Sequence, residues 1–187
     1  MNDPSRAEWA IDGVNLVVLA DCHIHPGGGP TFPPVLFDAL AGSDLIVTLG
    51  DMGEAAGLDQ LAEIAPVIGV RGADDSDDPR TDSPVLVLTS GGLALGCVFD
   101  ATKVGLAISS YPFVPAADFD AVAERLFGRR IDLLLHASTH RGEASNAGDC
   151  LVFNPGSAVL PAEGSPATVA ALNLADGALE GRLVPLA

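Results

Sequence analysis

The sequence predicts an α/β protein, and three observations carry that expectation. In the first half, apolar runs rich in Val, Ile and Leu alternate with stretches of helical period, the order expected of parallel strands. Beyond residue 84 the rhythm changes to strands that follow one another closely, which favours antiparallel pairing. The 187 residues are 48% hydrophobic, enough for a single domain over 1–187 with a sizeable core. No repeat, linker or low-complexity segment interrupts them.

The elements follow in order. "VNLVVLA" (14–20) has no polar alternation after Asn15, as expected of a strand covered on both faces. "TFPPVLFDALAG" (31–42) reads as a helix, with Thr31 as cap, prolines in the first turn and Gly42 as stop. "DLIVTLGD" (44–51) is a second strand. "LDQLAEIA" (58–65) is a second helix, with Leu58, Leu61, Ala62 and Ala65 on one face, and "PVIGVRG" (66–72) a third strand. An acid-rich loop spans 73–84. Three strands are then expected, "VLVLTS", "GLALGCVF" and "VGLAISS", the last two joined by the turn "DATK". A helix begins at Asp118 and turns Phe119, Val122, Ala123 and Leu126 to the core. "IDLLLH" (131–136) and "CLVFNPGS" (150–157) are further strands. The tail forms a hairpin around Asp176-Gly177.

Charge narrows the function classes. There are 25 acids against 9 bases, a formal net charge of −16. Lys103 is the sole lysine; the other bases are arginines. Such a surface repels phosphate backbones, which excludes a nucleic-acid scaffold. The densest basic spot, "GRR" at 128–130, reads as a helix end. No apolar run reaches the roughly 18–20 residues of a membrane helix, and the acidic, polar start "MNDPSRAEWA" is no secretory signal. A soluble, cytoplasmic protein is expected. Cys22, Cys97 and Cys150 form no C-x-x-C and imply no disulfide framework. Cys22 lies in an extended segment between Asp21 and His23, so it points opposite to both, toward the core.

The stretch "LADCHIHPGGG" (19–29) places an acid and two histidines just past the first long strand. Two kinds of metal hydrolase open this way, one with H-x-H on a barrel and one with D-x-H on a sandwich. A barrel needs about 250 residues and more ligands. This chain has four histidines (His23, His25, His136, His140) and one lysine. Residues just past strand C-termini converge on one edge of an α/β sheet. That placement gathers Asp21, His23, Asp51 and His140, two carboxylates and two imidazoles suited to Mn, Fe or Zn.

The order of blocks resembles the calcineurin-like metallophosphoesterases, in the small bacterial and archaeal branch that shares its fold with the small retromer subunit. D-x-H is "DCH", G-D is "GD" at 50–51, V-x-G-N-x-D looks like "VRGADD", G-H-T-H looks like "ASTH", and N-P-G-S is intact at 154–157. The resemblance runs from Val14 to the C-terminal hairpin. It implies a four-layer αββα sandwich, two mixed β-sheets face to face with helices outside. It also implies a divalent metal held by Asp21, His23, Asp51 and His140.

The family's second metal position is reduced. Ala73 stands for its asparagine and Ser138 for the first histidine of G-H-T-H. The mid-chain histidine position falls, by preference, in "ISSYP" (108–112); no histidine lies between His25 and His136, and no asparagine between Asn15 and Asn146. One ion per chain is therefore expected. Asp74 and Asp75 are the candidates to repair the second position. Ser138, Arg141 and Arg71 are the candidates to meet substrate. His136 ends a strand and points elsewhere than His140, and His25 is expected at the pocket rim beside "PGGG". The implied activity is hydrolysis of a small phosphodiester or phosphomonoester by metal-bound water whose pKa is lowered toward ~7, weakened by the missing second ion. The alternative is a non-catalytic relative that keeps the sandwich as a binding or assembly module. Homo-oligomers are compatible with either.

Overall fold

A computed structural model describes every residue except 1–5, 13, 26, 28, 107–115, 176 and 187. Chain order gives β1 (Arg6–Ala10), β2 (Asn15–Leu19), α1 (Pro34–Leu40), β3 (Leu45–Thr48), α2 (Ala55–Ala62), β4 (Val67–Gly69), β5 (Val85–Ser90) and β6 (Leu93–Val98). Then come α3 (Ala116–Phe127), β7 (Leu133–Leu135), β8 (Gly142–Ala147), β9 (Cys150–Pro155), β10 (Thr168–Ala175) and β11 (Ala178–Pro185). The strands form two mixed sheets, ordered β1-β5-β6-β7-β9-β8 and β11-β10-β2-β3-β4.

The front half pairs as the alternating order requires. β2, β3 and β4 are parallel neighbours, with Val17 opposite Ile46 and Ile46 opposite Val67. The tail is a tight antiparallel hairpin in which Ala175 faces Ala178. Its turn includes Gly177 at φ 73°, a left-handed conformation that glycine adopts without a steric penalty.

Period-two alternation explains why there are four layers. In β2, Leu16 and Val18 join a core between the two sheets. Val17 and Leu19 face the other way, onto Leu36 and Leu40 of α1 and Leu58 and Leu61 of α2. In the second sheet, Leu86, Leu88, Leu95, Leu133 and Leu135 look inward. Val85, Val87, Val98 and Leu134 look outward, toward Phe119, Ala123 and Phe127 of α3. Strands apolar on both faces can be satisfied only between two other layers, and the helices supply the outer pair. Gly96 marks a close contact of this packing: a Cβ there would lie 2.7 Å from the Phe127 ring.

Several expectations shift. Edge strands β1 and β8 were not anticipated, because both are largely solvent-exposed and lack an apolar period. The first helix starts at Pro34, with Pro33 at its N-cap and no side-chain cap bond, so Thr31 does not cap it. The second helix spans 55–62 and not 58–65, beginning straight after Glu54. The "DATK" turn exists: Asp100 Oδ1 accepts from the amides of Thr102 and Lys103. Val104 and Gly105 belong to that turned segment, however, and not to a strand. Residues 107–110 of the expected strand, and all of "ISSYP" (108–112), lie outside the described residues. Among the described residues no helix is long and apolar enough to cross a membrane.

Candidate functional site

The loops after β2, β3 and β4 lie beside those after β7 and β9, and the predicted site residues sit on them. The first two loops run side by side, held by main-chain bonds Asp21 N–H to Gly50 O (3.1 Å), His23 N–H to Asp51 O (2.9 Å) and Ile24 N–H to Met52 O (2.9 Å). Five non-glycine residues among those described have a left-handed backbone: Asp21, His23, Asp51, Ser138 and His140. All five belong to these loops. Such conformations cost about 1–2 kcal/mol per residue, and they concentrate where side chains must be aimed.

Asp21 is fully buried. Its Oδ2 accepts the His140 amide at 3.2 Å, and its carbonyl accepts the Ser157 hydroxyl at 2.8 Å. Oδ1 is buried with no hydrogen-bond partner. Burial pushes its pKa up to about 6, partly offset by the neighbouring His140. A buried carboxylate oxygen without a donor is costly unless a proton or a positive charge reaches it.

The two predicted histidines stack, with ring centroids 5.4 Å apart and planes 7° from parallel. Each is oriented through Nδ1. His140 Nδ1 lies 2.7 Å from the Leu160 carbonyl, which can only accept, so Nδ1 carries the proton. His23 Nδ1 lies 2.6 Å from Asp74 Oδ2, an acceptor when ionised. Both rings are thereby set to offer the Nε2 lone pair. His23 Nε2 lies 3.9 Å from Asp51 Oδ2. The structure thus places Asp21, His23, Asp51 and His140 on neighbouring loops from three distant segments, but among the described residues no three of these four bring ligand atoms within 4.8 Å of one another.

Acid 74 does more than sequence reasoning foresaw. Its Oδ2 also lies 2.8 Å from His25 Nε2, so His25, exposed at the rim as expected, also belongs to the cluster. The hydrogen bonds from His23 and then His25 hold Asp74 below the ordinary carboxylate range. His23, His25 and Asp74 present ligand atoms within 4.8 Å of one another, a group able to hold a metal ion. The H-x-H pattern at 23–25 was the available signal. Asp74 N–H also donates to Asp51 Oδ1 at 2.8 Å, tying the third loop to the second.

Asp75 is spent differently. Oδ1 accepts the amides of Met52 (2.6 Å) and Gly53 (3.0 Å), and Oδ2 that of Gly72 (2.7 Å). That cage clips two loops together, which corrects its reading as a spare metal ligand. Gly72 is required beside it, because a Cβ would collide with Asp51. In N-P-G-S, Asn154 binds Thr139 Oγ1 and the Gly156 amide, and Ser157 Oγ accepts the amides of Val159 and Leu160. The motif is scaffolding for the His140 loop.

The remaining candidates are scattered. Arg71 is paired with Asp77. Arg141 is exposed and Ser138 half-buried, each flanking the His140 loop. His136 is buried at the end of β7, and burial pushes its pKa down to about 4. Cys22 is fully buried among the residues beneath α1 and α2, its thiol pKa raised by burial.

Comparison with known proteins identifies the family. Residues 14–177 match the calcineurin-like phosphoesterase superfamily domain, and the chain belongs to that family. A probable metallophosphoesterase of Methanocaldococcus jannaschii is 27% identical over 182 residues, covering 95% of this chain and 85% of the relative. Vacuolar protein sorting 29 from Cryptosporidium parvum superposes with a TM-score of 0.68 at 19% identity, covering 92% of this chain and 97% of its own. The phosphoesterase Yfce of Escherichia coli does so at 0.57 and 19%, covering 92% of this chain and 100% of its own. The last two comparisons show the shared fold, an α/β sandwich of two mixed sheets.

Proposed function

We propose that this chain is a metal-dependent phosphoesterase that holds one divalent ion, Mn, Fe or Zn, through Asp21, His23, Asp51 and His140. The observation that carries the reading is the buried Asp21 Oδ1, without a hydrogen-bond donor, beside two imidazoles whose tautomers are fixed to expose Nε2. When bound, such an ion lowers the pKa of water and stabilises charge on a phosphoryl oxygen.

The chain's own residues supply the rest. Asp74 and the Leu160 carbonyl orient the two rings. Asp51 is fixed by the Asp74 amide. Arg141, exposed next to His140, is the cation best placed to meet a phosphoester oxygen, since Arg71 is engaged by Asp77. With Ala73 and Ser138 at the family's second-ion positions, activity is weak. Losing one electrostatic partner of this kind costs about 3–4 kcal/mol, on the order of a hundredfold or more in rate.

The test is hydrolysis of bis-p-nitrophenyl phosphate with added Mn²⁺, wild type against Asp51→Asn. Wild-type turnover that drops at least a hundredfold in the variant supports the enzyme. Equal background rates in both overturn it and leave the binding or assembly module, a role compatible with the same fold.

A further inference from the structure

Ser157 closes a circuit of hydrogen bonds that spans three loops of the site. Its side chain is fully buried, and its hydroxyl donates to the Asp21 carbonyl at 2.8 Å. The same oxygen accepts the amides of Val159 at 3.1 Å and Leu160 at 2.8 Å. A hydroxyl has one proton and two lone pairs, so this one is fully used. The Leu160 carbonyl holds His140 Nδ1 at 2.7 Å, and the His140 amide donates to Asp21 Oδ2 at 3.2 Å. The bonds therefore run from Ser157 to Asp21, on to His140 and Leu160, and back to Ser157. They join the loops after β2, β7 and β9.

The hydroxyl is the member on which the circuit turns. Asp21 and His140 both have left-handed backbones, at φ 54° and 56°, and non-glycine residues stay there only where their surroundings hold them. Leu160 is 41% exposed, so burial of its side chain does little to fix the turn that aims its carbonyl. The Ser157 oxygen fixes the Leu160 amide and the Asp21 carbonyl at once. We propose that Ser157 is a positioning residue for the Asp21 and His140 pair. It holds the carboxylate and the imidazole in one relation, with the His140 proton kept on Nδ1 and Nε2 left free. The consequence for ion binding rests on the one-ion reading; the consequence for the ring does not. Removing a group that orients a metal ligand from behind typically lowers affinity about 10–100-fold.

The metal-free whole chain, carrying nitrogen-15-labelled histidine, reports the ring directly. Long-range proton–nitrogen spectra at about pH 8, above the ordinary imidazole range, show which nitrogen of His140 holds the proton, with His140→Gln giving the assignment. Mn²⁺ affinity is read on the same proteins from the loss of the free-ion electron paramagnetic resonance signal. Ser157→Ala is expected to turn a single Nδ1–H tautomer into a mixture and to weaken Mn²⁺ about tenfold or more. Ser157→Thr, which keeps the hydroxyl, restores both readouts. Gly96→Ala, which crowds Phe127 on the other sheet, lowers stability but changes neither. Circular dichroism confirms folding; should Ser157→Ala not fold, Ser157→Cys, whose thiol is only a weak donor, replaces it with the same expectation. A variant without the hydroxyl that keeps the wild-type tautomer and Mn²⁺ affinity overturns the proposal. So does an equal loss in Gly96→Ala, which would mean general loosening. A wild type that binds no Mn²⁺ overturns the one-ion reading, and the tautomer then decides the role of Ser157 alone.

Discussion

The clip formed by Asp75 is the feature whose energetic worth can be worked most directly. Its carboxylate accepts three main-chain amides at 2.6, 3.0 and 2.7 Å, from Met52, Gly53 and Gly72. Hydrogen bonds to a charged acceptor contribute about 1.5–3 kcal/mol each. Asp75 is only half-buried, so water replaces part of what is lost. Asp75→Ala is therefore expected to destabilise the fold by about 3–4 kcal/mol, somewhat below the roughly 4.5 kcal/mol at which the range for three such bonds begins. Asp75→Asn keeps the shape and one acceptor oxygen. It retains the Met52 and Gly53 bonds but turns an NH₂ group toward the Gly72 amide, for a loss of about 1.5–2 kcal/mol. Urea unfolding with a common m-value measures both. The melting temperature of the alanine variant should fall by about 10 °C, at roughly 2–4 °C per kcal/mol for a chain this long. If both variants unfold within about 0.5 kcal/mol of wild type, the clip contributes nothing and the loops are held by their other bonds.

Further outcomes follow from burial and packing. His136 is neutral when folded, with its pKa pushed to about 4 from 6.5. The unfolded chain therefore binds the extra proton as pH falls through 6.5, and this contribution is full above 6.5 and fades toward 4. Between pH 7.5 and 4.5 the loss is about 2–3 kcal/mol, read as the difference in pH dependence between wild type and His136→Gln in urea melts. Gly96→Ala pushes a methyl group into the Phe127 ring and should cost about 1–3 kcal/mol by overpacking, measured by thermal unfolding. Cys22, Cys97 and Cys150 are buried thiols, their pKa values raised by desolvation. A thiol-specific reagent should label none of them within minutes in native buffer and all three in denaturant.

What the sequence made legible is what burial writes into it. β2, β3, β5, β6 and β7 lie between two layers, and their unbroken apolar runs are visible without coordinates. β1 and β8 lie at the two edges of one sheet, where solvent erases the pattern; Trp9 of β1 is 53% exposed. The nearness of Asp21, His23, Asp51 and His140 was readable because each follows a predicted strand, and strand ends converge. The partnership of His25 with Asp74 was not. It joins residues 49 positions apart on loops whose course no periodicity describes. The role of Asp75 was hidden for a related reason, since backbone amides as partners leave no trace in residue types.

The left-handed residues connect these two kinds of information. A loop that needed only to turn sharply would place glycine at such points, as it does at Gly50 (φ 96°) and Gly53 (φ 95°). The neighbouring positions hold Asp, His and Ser, each at a cost of about 1–2 kcal/mol. That cost is offset by the Asp75 clip, the Ser157 bond to the Asp21 carbonyl and the main-chain ladder between the first two loops. The backbone strain helps to aim Asp21, His23, Asp51, Ser138 and His140. Asp21 is thereby left buried with an oxygen that no donor among the described residues fills, and both histidines are left with Nδ1 engaged. A fold concerned only with stability would have relaxed those positions; their joint persistence in one cluster of loops is the physical argument for a cation there.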